Sequence, residues 1–481
     1  MDTPVVHDGC ARPDISDRVP DLVVIGAGSA GFSAAITAAE RGAHVALIGQ
    51  GVIGGTCVNI GCVPSKTLIR ATESVHHAAA AARFRGIRAE GRVEDWQAVV
   101  RHKDELVASL RQAKYLDLLP SYNTIAYREG RARLTSDGVA VDGTLLKAGK
   151  VIVTTGASPS LPPIPGIESV PYLTSTTALE LERLPKSLLV IGGGYIGCEL
   201  GQMFARAGVK VTIVDIVPIL SAGEPEISAA LAKYFRDEGI IIHEGVKPKA
   251  ARKTAQGIAL DVLVADKNES LEAEKFLVTT GRRPNTADMG LEEAGVALLA
   301  NGGIKVDDRM RTTKTGVYAA GDVIGRDQFV YMAAYGAKIA AENALNGDSR
   351  RYDATAMPSV VFTDPQVASV GLTETQARRQ GLQVKTTLLP LDYVPRALAA
   401  RDTRGLIKLI AESGSGKLLG AHILAPEGAD SIQTAALAIK CGLTVEQLAE
   451  TIFPYLTTVE GLKLAAQTFA KDVAKLSCCA G

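Results

Sequence analysis

At 481 residues the chain is too long for one hydrophobic core, so about three domains are expected. Its 52 basic and 52 acidic residues cancel, which argues against a nucleic-acid or membrane-surface partner held by a basic field. No apolar run reaches membrane-inserting length, and seven cysteines in so long a chain are not a disulfide scaffold; both features point to a reducing, cytoplasmic setting.

Residues 1–20 carry Asp, Arg and Pro without an apolar stretch and are expected to form a disordered lead-in, not a secretory signal. Asp21–Ile25 reads as a buried parallel strand. It runs into Gly26-Ala27-Gly28-Ser29-Ala30-Gly31, an alanine-rich helix to Gly42, and a second strand, His44–Ile48. In that context G-x-G-x-x-G is a dinucleotide-binding fingerprint: Gly26, Gly28 and Gly31 let the backbone approach a pyrophosphate at a helix N-terminus. One position departs from the pattern. The acid expected after the second strand, to hold the adenosine ribose, is Gly49, followed by Gln50, so the ribose needs another partner: Gln50 or backbone.

Two cysteines follow in Gly55-Thr56-Cys57-Val58-Asn59-Ile60-Gly61-Cys62-Val63-Pro64-Ser65-Lys66. A turn opened at Gly61 can bring the two sulfurs within bonding reach, and a helix starting near Cys57 favours thiolate. Lys66, four residues after Cys62, adds a positive charge on the same face. The spacing alone leaves two readings open, a redox-active dithiol and two buried structural cysteines. The nucleotide-binding context favours the first. Helical periodicity follows over 67–82 and 93–118. His76 and His77 lack an acidic or cysteine partner at ligand spacing, so they read as surface residues and no structural metal is expected.

Val151-Ile152-Val153-Thr154-Thr155-Gly156 is a further buried strand, and the prolines at 159, 162, 163 and 165 mark a boundary. Leu188–Ile191 then opens a second copy of the first theme, with Gly192, Gly194 and Gly197, a helix, and the strand Val211–Val214 ending in Asp215. Here the acid is present. Asp215 accepts from a ribose 2′-OH and repels a 2′-phosphate, which leans toward NADH over NADPH. Phe276–Gly281 repeats the ending of the earlier strand, and two such folds imply a flavin beside a nicotinamide. Val317–Asp322 is another strand, ending in Gly321-Asp322, where an acid can hold a flavin ribityl hydroxyl. From Met357 strands and helices without a glycine fingerprint indicate a separate α+β domain.

With these residues the chain resembles the pyridine nucleotide-disulfide oxidoreductases along nearly its whole length. Within them it is most similar to the branch that reduces mercuric ion. The resemblance implies an α/β architecture: an FAD domain from 21–160 and 282–355, an NAD(P)H domain over 161–281, and an α+β dimerisation domain over 356–481. It implies that Cys62 lies against the flavin and Cys57 is the interchange thiol, that Lys66 pairs with Glu199, and that Tyr195 covers the flavin until nicotinamide displaces it. It adds Gly55, Thr56, Lys66, Thr155, Gly156, Gly281, Arg282 and Asp322 to the cofactor contacts. Disulfide-reducing members carry a His-Pro-x-x-x-Glu element in the last domain, whose histidine is the base for a thiol substrate. Aligned on Glu460 that place is Tyr455, and the histidines at 7, 44, 76, 77, 102, 243 and 422 lie elsewhere. Cys478 and Cys479 sit at the tail, and adjacent cysteines bind a soft ion more readily than they join each other. The resemblance implies a homodimer in which this pair delivers Hg(II) across the interface to Cys57 and Cys62. A lipoamide dehydrogenase-like disulfide reductase is the alternative. No nucleic acid partner and no membrane insertion are expected.

Overall fold

In the segment Leu22–Ile25 every residue is apolar because both faces of the strand are covered. Leu22 and Val24 pack with the helix side chains Ala34, Ala35 and Ala38, whereas Val23 and Ile25 join a second cluster with Leu134, Val139 and Val323. The structure, a computed structural model, describes residues 19–255, 257–265 and 267–475. Strand β1 (Leu22–Ile25) leads into helix α1 (Ser29–Ala39), β2 (Val45–Gly49), the short helix α2 (Gly55–Ile60), the long helix α3 (Cys62–Ala80) and, after a further helix, β3 (Ile125–Glu129). The parallel sheet runs Val317–Ala319, Lys150–Val153, β1, β2, β3.

The second parallel sheet repeats this plan. Its order is Ile241–His243, Lys210–Val214, Ser187–Ile191, Lys275–Val278, Tyr172–Leu173. The repeated Val-Thr-Thr-Gly ending has a structural reason. The Thr154 hydroxyl meets the Ile25 and Gly26 carbonyls at 2.9 and 3.0 Å, and the Thr279 hydroxyl meets the Ile191 and Gly192 carbonyls at 3.1 and 2.8 Å. Each hydroxyl thus satisfies buried carbonyls where a strand gives way to its glycine turn.

An antiparallel sheet ordered Pro358–Val361, Gln366–Gly371, Leu418–Ala425, Leu406–Glu412, Val384–Pro390 forms the rest, with helices Gly428–Lys440, Val445–Glu450 and Glu460–Gln467. The last helix stops at Gln467, and a turn at Val473–Lys475 follows. Among the described residues no helix is long and apolar enough to cross a membrane.

The chain divides into two compact units. The first takes Met1–Pro64, Asp104–Ser158 and Arg282–Asp353; the second takes Ser65–Lys103, Pro159–Gly281 and Ala354–Gly481. Ser65–Lys103 belongs to the second although it lies inside the 21–160 stretch, because Leu68, Trp96 and Val100 share a core with Leu200, Met203 and Phe204.

Candidate active site

In the first unit two glycine turns meet backbone to backbone. A Cβ on Gly31 would lie 1.7 Å from the Gly26 carbonyl oxygen, and one on Gly55 would lie 2.7 Å from Gly28 Cα. Gly28 bridges to Gly54, whose N–H donates to Ala27 O at 2.9 Å. The turn that carries the cysteines is therefore docked on the fingerprint turn, and Gly54 (φ 99°) and Gly55 (φ 65°) hold conformations that only glycine adopts without strain.

Cys57 lies in α2 and Cys62 opens α3, both half-buried, with the break between them at Gly61 (φ −131°, ψ −110°). Thr56 backs that break: its carbonyl oxygen would lie 2.9 Å from a Cβ on Gly61. Asn59 ties the loop together. Its amide donates to the Ile53 and Gly55 carbonyls at 2.9 Å each, and its Oδ1 accepts from Arg111 at 3.0 Å. Tyr115 stands beside the same pair. Burial pushes its phenol up, the Ser29 hydroxyl at 3.4 Å opposes this, and charge on Cys57 and Cys62 raises it further. Its ring meets Phe32 edge-on at 4.8 Å. Asn59 lies inside the cysteine motif without a role having been read for it, and Tyr115 belongs to no motif in the sequence.

Asp322 follows Gly321 (φ 80°), which places the carboxyl at the start of a single helical turn. Burial pushes this carboxyl up, and Arg282, whose Nε lies 3.8 Å away, opposes the shift. Arg282 is itself lowered by burial, against the pull of Asp322 and Cys62, and it donates to the Ala157 carbonyl. Thr155 is tied to Asn285: its hydroxyl donates to Asn285 O at 2.7 Å, and the Asn285 side-chain Nδ2 donates to Thr155 O at 2.9 Å. Gly156 (φ 72°) accepts from Asn285 N at 2.9 Å and has open space where a Cβ would stand.

The second unit holds the other fingerprint. A Cβ on Gly197 would strike the Gly192 oxygen at 1.9 Å, whereas one on Gly194 would meet nothing within 4 Å, leaving that edge open. Asp215 accepts from Gly193 N at 2.6 Å and Val217 N at 3.2 Å, so its carboxylate is aimed by backbone. Gly281, exposed at φ 115°, accepts from Ser160 N at 3.0 Å.

Along the helix Tyr195–Arg206, Tyr195 and Glu199 share a face one turn apart. Glu199 is 6 % exposed and doubly held: Lys66 Nζ donates to Oε2 at 2.6 Å and Phe362 N to Oε1 at 2.9 Å. The Lys66 ammonium also sits 4.9 Å from the Phe362 ring centre. Tyr195, 38 % exposed, donates to the Ser359 hydroxyl at 3.3 Å. Tyr455 is 52 % exposed, while Glu460 behind it is buried, its carboxyl pushed up by that burial and opposed by the Leu456 N–H it accepts at 3.2 Å.

His76 corrects the surface reading. It is half-buried, lowered by desolvation and by Arg206, and its Nε2 lies 3.9 Å from Asp364. Glu73, His77 and Asp364 gather within metal-ligand range, yet Asp364 is already engaged by Arg206 at 2.9 Å and Arg404 at 3.1 Å, so the group is an ion-pair network. Cys198 is a packing thiol, buried, pushed far up by desolvation and donating to Gly193 O. Cys441 is exposed; Cys10, Cys478 and Cys479 lie outside the described residues.

The family model described as pyridine nucleotide-disulphide oxidoreductase matches residues 20–339, and that of its dimerisation domain matches residues 357–466. The chain belongs to this family. It is 47% identical over 470 residues to a mercuric reductase of Streptomyces lividans, covering 96% of this chain and 98% of that one. It is also 47% identical over 466 residues to a mercuric reductase of Acidithiobacillus ferrooxidans, covering 96% and 84%. Among solved structures it is similar to the flavoprotein disulfide reductase RclA of Escherichia coli (TM-score 0.82, 32% identity, 94% and 100% covered). The LpdA structure from Mycobacterium tuberculosis is comparable (TM-score 0.83, 27% identity, 94% and 100% covered).

Members of the pyridine nucleotide-disulphide oxidoreductases imply FAD and NAD(P)H, and both fingerprints suit them. In the first unit the crossed glycine turns leave backbone bare at Gly28, and a desolvated carboxyl at Asp322 suits hydroxyl donors. In the second, the open edge at Gly194 and the backbone-aimed Asp215 suit a pyrophosphate and a ribose.

Proposed function

We propose that this protein is an FAD-dependent enzyme that reduces Hg(II) to elemental mercury with NAD(P)H. The reading is carried by near end-to-end similarity to proteins named mercuric reductase, seven of them at 41% to 47% identity. The phenol of Tyr455, where a thiol-substrate enzyme needs an imidazole, supports it. Overall, NAD(P)H and Hg(II) give NAD(P)+, a proton and Hg(0).

FAD, when bound, passes the two electrons of a nicotinamide hydride onward. Gly26, Gly28, Gly31, Gly55, Thr56, Thr155, Gly156, Arg282, Gly321 and Asp322 hold it; Gly192, Gly194, Gly197, Asp215 and Gly281 hold the nicotinamide dinucleotide. Asp215 favours NADH, because a carboxylate accepts from a 2′-OH and repels a 2′-phosphate, and the exposed Ile216 and Val217 beside it offer no cation. Tyr195 covers the nicotinamide place until the ring enters. Lys66, fixed by Glu199, sets a positive charge there. Cys478 and Cys479 of the partner subunit collect Hg(II) and pass it to Cys57 and Cys62, whose two thiolates match the linear coordination of this soft ion. Tyr455 offers a phenolic oxygen along that path. The enzyme is a cytoplasmic homodimer with the FAD, NAD(P)H and dimerisation domains at 21–160 with 282–355, 161–281 and 356–481.

The likeness to the flavoprotein disulfide reductase RclA supports a second reading, a disulfide reductase, for which lipoamide or a related dithiol is the substrate class to test. Nicotinamide oxidation separates the two. Hg(II)-dependent turnover in excess thiol, reduced at low mercury in Cys478→Ala/Cys479→Ala, is expected; turnover with lipoamide and none with Hg(II) overturns the proposal.

A further inference from the structure

Gly49 stands as far beyond Gly28 as Asp215 stands beyond Gly194, so the two positions are equivalent in the two fingerprint folds. In the second fold the carboxylate is present and aimed by Gly193 N–H. In the first there is no side chain, and the structure gives a steric reason. A Cβ built on Gly49 would lie 2.6 Å from the Tyr127 hydroxyl oxygen, 2.9 Å from Tyr127 Cε2 and 2.9 Å from Ala27 Cβ. The place of the missing acid is taken by a phenol.

The register explains how Tyr127 reaches it. In the parallel pair β2–β3, Leu47 faces Tyr127 and Gly49 faces Glu129. Leu47 and Gly49 point to one side of the sheet, as does Tyr127. A two-residue step along a strand is about 6.6 Å, close to the length of a tyrosine side chain, so the ring lies along β2 and its hydroxyl ends over Gly49. Its body packs on the cluster of Leu47, Ala34 and Ala38, half-buried. Gln50, the other sequence candidate, is exposed.

We infer that the Tyr127 hydroxyl is the ribose-binding group of the first fold, standing in for the absent acid at Gly49. A phenol both donates and accepts, so it can pair with a ribose hydroxyl as a carboxylate does, without the charge. Gly49 and Tyr127 are then one device: the glycine is required because the phenol fills its side-chain space. This rests on the flavin assignment and not on mercury as substrate.

The test reads flavin retention on purified holoenzyme: FAD released on dilution, measured by its fluorescence after ultrafiltration, together with Tm. Tyr127→Phe keeps the ring and loses one hydrogen bond, so the FAD dissociation constant is expected to rise about two- to tenfold. Gly49→Glu alone is expected to lower Tm and loosen FAD through the collision with Tyr127. Gly49→Glu/Tyr127→Ala is expected to regain wild-type retention, because the new carboxylate then has room. Wild-type retention in Tyr127→Phe, or failure of the double variant to improve on Gly49→Glu, overturns the inference. A wild-type protein purified without flavin colour and unable to take up FAD overturns the flavin assignment itself, whatever its response to Hg(II).

Discussion

Removing Lys66 isolates a buried carboxylate, and the cost follows from the geometry. Lys66 Nζ and Glu199 Oε2 are 2.6 Å apart, with side-chain exposures of 33% and 7%. At an effective dielectric of about 20 the bare attraction is roughly 6 kcal/mol, an upper bound before desolvation. Breaking a fully buried pair from one side costs about 3–5 kcal/mol; Lys66 is a third exposed, so water screens part of this, and about 2–3 kcal/mol is expected. Glu199 retains the Phe362 N–H, which keeps the cost from rising further. Lys66→Met should therefore lower the unfolding free energy of the holoenzyme, measured by urea denaturation, by that amount, and Lys66→Met/Glu199→Gln should recover most of it, because the double variant leaves no unpaired charge. The single tryptophan, Trp96, reports the event directly: it is buried in the same unit, 6.3 Å between ring centres from Phe204 on the helix that carries Glu199. Effects that add within about 0.5 kcal/mol in this cycle would show that the two groups do not act as a pair and would refute the reasoning.

Asp215→Ser should shift kcat/KM toward NADPH relative to NADH by roughly tenfold, equivalent to about 1.4 kcal/mol, since it removes the group that repels a 2′-phosphate; an unchanged ratio in parallel assays refutes the role given to Asp215. Asp364 sets an acid-side stability window. Burial pushes its carboxyl up, but Arg404 and Arg206 outweigh burial and hold it below the usual carboxylate range. The stabilisation is complete above the unfolded value, near ~4, and is lost as pH falls through the depressed folded value. Asp364→Asn should be less stable than wild type at neutral pH by about 3 kcal/mol, and the gap should close in acid; a gap independent of pH, measured by denaturant midpoints, counts against the assignment.

Local chemistry made much of this protein legible before any fold was known. Glycines at Gly26, Gly28 and Gly31, and again at Gly192, Gly194 and Gly197, follow apolar strands, and only backbone approach and tight turns explain them. The cysteine loop was readable for the same reason: Gly54, Gly55 and Gly61 are conformational requirements written into the chain. What the sequence could not supply were partners brought together from distant strands. The repeated Val-Thr-Thr-Gly endings did not reveal that the Thr154 and Thr279 hydroxyls close the turns of their own sheets. His76 looked solvated until Asp364 and Arg206 were packed around it. Gly49 read as a missing acid, and the β2–β3 register turned it into a space filled by Tyr127. Turn geometry is fixed by neighbours along the chain, so composition records it; strand register and the packing of side chains remote in sequence are settled only when the whole core closes, and there tertiary structure alone decided.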